Sequence, residues 1–167
     1  MNRRIFLVGM PGSGKSTVGA VLANALHAPF FDLDKEIELS ANDIIANIFE
    51  QQGEGAFRIV EAEALQRLIA EHPEGVIATG GGAPVYSNGM HIMNDHGVTV
   101  FLDVSIKTLL NRIKENKDRP LLVKDAETQL IHLEKARRPT YLKASCYIDC
   151  DHLSPNEIAQ QIMNKLK

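Results

Sequence analysis

The sequence predicts an α/β fold, with a central parallel five-stranded sheet between two layers of helices. Three observations predict it. Short apolar runs alternate with amphipathic stretches along the whole 167-residue chain, as parallel β-α units require. Polar, glycine- or proline-bearing breaks separate them, with no repeat and no low-complexity segment. A glycine-rich pattern suited to phosphate sits at the first strand-to-helix junction.

Arg4–Val8 is a short apolar strand, and Lys15–Leu26 a helix with Val18, Val21, Leu22 and Ala25 on one face. Pro29–Asp32 is a second strand ending in acid. Asp34–Leu39 and Ile44–Phe49 read as short helices, and Ala56 to about Ala70 as a longer one whose inward stripe is Phe57, Val60, Ala64 and Leu68. Val76–Ala78 is a third strand, broken by Thr79-Gly80-Gly81-Gly82. Tyr86–His96 is a weak helix and Val98–Asp103 a well-marked fourth strand. Ile106–Lys114 is helical, followed by a polar loop through Arg119-Pro120. Glu127–Lys143 is a helix containing Pro139; Cys146–Asp149 is the fifth strand. Pro155–Leu166 closes the chain, with proline in the first turn where its missing N–H costs nothing.

Composition excludes several classes of function. At 44% hydrophobic and 23% charged residues the chain is an ordinary globule. A net charge of -3 and 5% aromatics without tryptophan disfavour nucleic acid. No apolar run reaches the roughly 18 residues of a membrane helix. Arg3-Arg4 before Ile5-Phe6-Leu7-Val8 imitates a signal peptide, but Pro11-Gly12 and Lys15 cut the apolar stretch too short. Cys146 and Cys150 lie four apart in a strand-like segment, about 13 Å in extended chain, too far for a disulfide. They read as two buried thiols in a reducing cytoplasm.

The chemistry begins at Gly9-Met10-Pro11-Gly12-Ser13-Gly14-Lys15-Ser16, which matches G-x-x-x-x-G-K-[ST] between a strand and a helix. Glycines let backbone N–H groups wrap an anion, and the positive end of the next helix faces the same phosphates. Lys15 reaches the β- and γ-phosphates and the Ser16 hydroxyl ligates Mg²⁺. Asn116-Lys117-Asp118 falls one residue short of a GTPase base-reading loop, and the chain is small for a motor ATPase. A one-lobe P-loop kinase fold, like that of nucleoside-monophosphate kinases, fits the size.

Asp32 and Asp34 end the second strand two apart, so they share a face if the strand continues. One suits Mg²⁺ and the other the proton of a hydroxyl, unless Asp34 merely caps the next helix. Asp103 rivals Asp32 for the metal. Arg58 lies opposite the Phe57/Val60 stripe, three residues before Glu61, and taken alone suits an exposed helical ion pair. Gly80-Gly81-Gly82 offers unhindered amides to an anion. Arg119 suits an arginine finger in cis, and either Arg137 or Arg138 can face the crevice. An acceptor carrying both a hydroxyl and a carboxylate fits this set.

The stretches GMPGSGKST (9–17), FFDLDKEIE (30–38), IFEQQGEGAFR (48–58), TGGG (79–82), RPLL (119–122) and RRPTY (137–141), in this order, resemble shikimate kinases. The resemblance implies ATP-dependent phosphorylation of the 3-hydroxyl of shikimate, in chorismate and aromatic amino-acid biosynthesis. It places shikimate on Asp34, Arg58, Gly80, Gly81, Gly82 and Arg137, with Asp34 as base. It places ATP on Gly12, Ser13, Gly14, Lys15, Ser16 and Thr17, with Arg112 and Pro155 near adenine and Arg119 on the phosphates. Mg²⁺ falls to Ser16 and Asp32, which prefers Asp32 over Asp103. The R-x-P-x-Y spacing selects Arg137 and leaves Arg138 a bystander. The expectation is a cytoplasmic monomer, one kinase domain over 1–167, with a substrate flap at about 34–61 and a lid at about 115–124. Asn42 and Thr140 stand where the family usually has glycine and leucine. Gluconate-type kinases, nucleoside-monophosphate kinases and a non-catalytic ligand sensor are the competing readings.

Overall fold

The structure is a computed structural model, and it describes residues 4–115 and 123–167. Five strands, β1 (Arg4–Val8), β2 (Phe30–Asp32), β3 (Gly75–Ala78), β4 (Gly97–Asp103) and β5 (Cys146–Asp149), form one sheet in the order β2-β3-β1-β4-β5. Every pairing is parallel, with Ile5 opposite Val76 on one side and Val98 on the other. Among the described residues seven helices surround it: α1 (Lys15–Leu26), α2 (Leu33–Ala41), α3 (Ile45–Glu71), α4 (Gly89–His96), α5 (Ile106–Glu115), α6 (Val123–Tyr141) and α7 (Pro155–Lys165).

A parallel strand covered on both faces has no polar side to show, and the central strands read accordingly. Phe6, Leu7, Val8, Val76, Val100 and Leu102 are all buried. Arg4, at the start of β1, sends its guanidinium to the carbonyls of His72, Ile69 and His96, so the charge beside the apolar run caps the ends of α3 and α4. Among the described residues no helix is long and apolar enough to cross a membrane.

β1 feeds β2 on one flank, while β3 returns between them and β4 crosses to the other flank. The order reverses around β1, and ligands of open α/β sheets bind at the carboxyl ends of strands at such a reversal. The phosphate loop follows β1, Asp32 ends β2, the Thr79–Gly82 run follows β3 and Asp103 ends β4. All four functional stretches therefore lie on one edge.

Several elements differ from the sequence expectations. The helices expected at 44–49 and 56–70 are two arms of α3, kinked at Gly53, whose φ of 80° and ψ of 172° break the helical path. Tyr86 lies in a turn, and α4 begins only at Gly89, after two residues with positive φ, Ser87 and Asn88. Pro139 does not end α6, which runs on to Tyr141. A proline that close to the end forfeits a single helical hydrogen bond. Cys146 is half-buried rather than buried, because β5 is an edge strand; Cys150 is buried as expected, and neither is in a disulfide. Asn42 caps the end of α2 with φ 51°, a left-handed position that glycine or asparagine fills at little cost.

Candidate active site

The phosphate loop holds its shape through glycines at positive φ, 79° at Gly12 and 92° at Gly14, the latter immediately preceding α1. Lys15 is buried in the loop and its Nζ donates to the carbonyls of Gly9 (3.0 Å) and Met10 (2.9 Å). Burial lowers its pKa to about 8, against the opposing pull of Asp34 and Asp32. Ser16 Oγ donates to Asp32 Oδ2 at 2.5 Å. Beyond the loop, a groove of about 530 Å³ runs between Gly12, Ser13, Gly14, Thr17, Arg112, Leu153, Pro155 and Ile158. Arg112 Nη1 donates to the Gly12 carbonyl at 2.8 Å, which fixes the guanidinium at the groove's wall.

β2 stops at Asp32, and this corrects the expectation of two carboxylates on one extended face. Asp32 is the N-cap of α2: its Oδ1 accepts from the amides of Asp34 (3.2 Å) and Lys35 (3.4 Å) while Oδ2 faces Ser16. Asp34 sits in the helix's first turn and is not the cap. Its carboxyl opens onto the crevice, yet the protein atoms enclosing it raise its pKa above the ordinary carboxylate value. The Asp32 charge adds to that shift, and Lys15 partly opposes it.

Arg58 is the largest departure from sequence expectation. Its side chain is only 13% exposed, turned into the crevice rather than along an outer helix face. Nη1 donates to Glu61 Oε2 at 2.7 Å, while Nη2 (3.0 Å) and Nε (3.3 Å) donate to Glu54 Oε1. Its Cζ lies 4.3 Å from the Tyr86 ring centroid, 5.1 Å from that of Phe57 and 5.9 Å from that of Phe49, an aromatic enclosure for a cation. Burial opposes its charge, but the two carboxylates outweigh that and raise its pKa. Glu61 is buried, and its burial raises its pKa, with Asp34 adding to the shift and Arg58 pulling it back.

The glycine run closes the far wall. A Cβ on Gly80 would stand 2.7 Å from Glu61 Oε1 and 3.0 Å from Asp34 Oδ1; one on Gly81 would stand 3.0 Å from Arg137 Nη1. One on Gly82 would overlap the Arg58 guanidinium. Only residues without side chains let these four charged groups converge there. Arg138 points elsewhere: it grips Asp103 with two hydrogen bonds (2.8 and 2.7 Å) and reaches Glu134 at 3.2 Å. Asp103, the rival for a metal role, is thus committed to an arginine.

The crevice therefore brings together Asp34, Arg58, Arg137, Gly80, Gly81, Gly82, Lys15, Ser16 and Asp32, with Arg112 and Pro155 along the adjoining groove. Arg119 and the rest of 116–122 lie outside the described residues. Sequence reasoning named Glu61 only as a helical partner of Arg58 and gave no role to Glu54, Phe49 or Tyr86. The E-x-x-x-R-x-x-E spacing at 54, 58 and 61 was the available signal for the two carboxylates. Phe49 lies in the other arm of α3, across the kink at Gly53, and Tyr86 in a separate turn, so neither left a signal. Among the described residues no group of three or more His, Cys, Asp or Glu is placed to hold a metal. Ser16 and Asp32 offer hard oxygen donors beside the phosphate loop, which fits Mg²⁺ shared with nucleotide phosphates.

The chain and its fold resemble known proteins. The model of the shikimate kinase family matches residues 11–167. A shikimate kinase of a Sulfurihydrogenibium species is 41% identical over 99% of this chain and 98% of its own. That of Aquifex aeolicus is 37% identical over 98% and 96%. Among solved structures, the shikimate kinase of Acinetobacter baumannii in complex with shikimate superposes with a TM-score of 0.89 at 36% identity, covering 98% of this chain and 92% of that one. The shikimate kinase of Bacteroides thetaiotaomicron gives 0.90 at 34% identity, covering 98% of both.

Proposed function

This chain belongs to the shikimate kinase family, and from that premise and the geometry of the crevice we propose which residues perform its reaction. It is an ATP-dependent kinase that transfers the γ-phosphoryl group to the 3-hydroxyl of shikimate, giving shikimate 3-phosphate and ADP. The observation that carries the assignment of roles is the convergence of Asp34, Arg58 and Arg137 on the glycine run, with Glu61 already paired to Arg58.

Arg58 and Arg137 take the substrate carboxylate, a recognition in which planar guanidinium donors match two oxygens. Gly80, Gly81 and Gly82 let the ring approach the backbone. Asp34 holds the ring hydroxyls and accepts the proton of the 3-hydroxyl as it attacks; a pKa raised by its burial makes it a stronger base than an ordinary aspartate. Lys15 and Arg119 neutralise charge on the transferring group, the main work in phosphoryl transfer. Gly12, Ser13, Gly14, Lys15, Ser16 and Thr17 cradle the ATP phosphates, with Arg112 and Pro155 beside the adenine. Ser16 and Asp32 are suited to hold Mg²⁺, which when bound neutralises phosphate charge. The segment at about 34–61 acts as the substrate flap and that at about 115–124 as the lid that excludes water. The enzyme works as a monomer in the cytoplasm, where its two thiols stay reduced.

A coupled ADP-release assay with Mg-ATP, comparing shikimate with gluconate, AMP and no acceptor, tests the substrate. Release that depends on shikimate alone is expected. Release on gluconate or AMP instead, or tight shikimate binding without turnover, contradicts the reading.

A further inference from the structure

The R-x-P-x-Y stretch contains a side chain that the roles above leave unused. Tyr141 is buried at the end of α6, and its hydroxyl donates to the Gly81 carbonyl at 2.6 Å, across 60 positions of sequence. We propose that Tyr141 is a positioning residue for the shikimate carboxylate, fixing the Gly80–Gly82 run and Arg137 relative to each other. The inference rests on the reading of this crevice as the shikimate site.

The glycine run has no side chains with which to anchor itself. Its carbonyls are engaged instead: Gly80 accepts from the Ala83 amide (3.2 Å), Gly82 from the Val85 amide (2.8 Å), and Gly81 from Tyr141. The first two bonds lie within the turn and shape it locally. The third ties it to α6, the helix that carries Arg137. Because a peptide unit is planar and trans, fixing the Gly81 carbonyl also fixes the Gly82 N–H on the opposite side. A run of glycines is otherwise the most conformationally free backbone available.

Arg137 and Tyr141 stand four apart on α6, so their side chains leave the same helical face. A Cβ on Gly81 would lie 3.0 Å from Arg137 Nη1, so arginine and tyrosine meet the same peptide from one helix. The Arg137 charge also acts on the phenol, opposing the rise in pKa that burial gives it. The Tyr141 ring packs on that of Phe101 in β4, centroids 5.2 Å apart, a contact that adds stability while the hydroxyl bond alone orients the run. The arginine that meets the carboxylate and the backbone the substrate approaches are thus set by one hydroxyl.

The test pairs Tyr141→Phe, which keeps the ring and removes only the hydroxyl, with Phe101→Leu, which loosens the packing and leaves the hydroxyl. Tyr141→Phe is expected to raise the KM for shikimate about tenfold, as loss of a buried hydrogen bond implies. Its kcat and its KM for ATP should stay within twofold of wild type. Phe101→Leu is expected to lower the melting temperature at least as much while leaving the shikimate KM unchanged. An unchanged shikimate KM in Tyr141→Phe overturns the proposal, and so does an equal rise in both variants. A wild-type enzyme that ignores shikimate would instead overturn the underlying reading of the site.

Discussion

Replacing Arg58 with alanine removes the donor that most constrains the proposed substrate pocket. The guanidinium is held on one side by Glu61, 4% exposed, and on the other by Glu54, 55% exposed. In the proposed pose a substrate carboxylate displaces Glu54 from Nη2 and Nε, exchanging one carboxylate for another. The exposed Glu54 pair is worth about 0.3–0.5 kcal/mol, so the exchange costs little. A desolvated charge pair is worth about 2–5 kcal/mol when one partner is truncated. Allowing for the lost Glu54 contact, the lower half applies, and KM for shikimate should rise about 30- to 300-fold at 1.4 kcal/mol per decade. The KM for ATP should not change. The variant also orphans Glu61, whose pKa burial already raises. A carboxyl with a raised folded pKa contributes its stability below the unfolded value and loses it as pH rises through the folded one. The melting gap between wild type and Arg58→Ala should therefore be small near pH 4 and widen toward pH 7, reaching about 3 kcal/mol for a broken buried pair. Steady-state kinetics with shikimate and ATP varied separately, and melting curves across that range, measure both. An unchanged shikimate KM, or a melting gap that is the same at every pH, would refute the reasoning.

Arg137→Ala should raise the shikimate KM by at least tenfold, whereas Arg138→Ala should cost about 1 kcal/mol of stability with that KM unchanged, because Arg138 is spent on Asp103. Kinetics on the two neighbours decide between them, and the reverse result would exchange their roles. Asp32→Asn keeps a good helix cap and removes a charge, so its melting temperature should hold while the Mg²⁺ requirement rises at least tenfold. Asp32→Ala should add a loss of about 1 kcal/mol in melting experiments. With its pKa lowered to about 8, Lys15 loses its charge as pH rises through that value. The kcat/KM for ATP should accordingly fall above pH 8, and a profile flat to pH 9.5 would contradict it.

The fold was legible because its strands are bounded by turn residues and its motif occupies a strand-helix junction; all five strands fall where the apolar runs are. The phosphate loop was legible for the same reason, since glycine spacing and one lysine carry the whole demand. Local pattern failed where a backbone choice of one residue decided the outcome. Asp32 and Asp34 lie on an alternating pattern only if the strand continues, and Asp32's own capping bonds start the helix instead. Arg58 was assigned an outer face from its offset to Phe57 and Val60. What turns it inward is a tertiary arrangement, with Tyr86 from the turn before α4 on one side and the bare Gly82 on the other. No periodicity within α3 encodes either. The choice of Arg137 over Arg138 needed the family spacing, and the bond between Tyr141 and Gly81, spanning 60 positions, had no sequence signal.

The most direct test of the account is the rate of shikimate-dependent ADP release by Asp34→Asn beside wild type, at saturating Mg-ATP and shikimate. If Asp34 takes the hydroxyl proton, kcat falls by at least the ~100-fold of a lost general base while shikimate still binds. A kcat equal to wild type would remove Asp34 from that role and leave the crevice without its base.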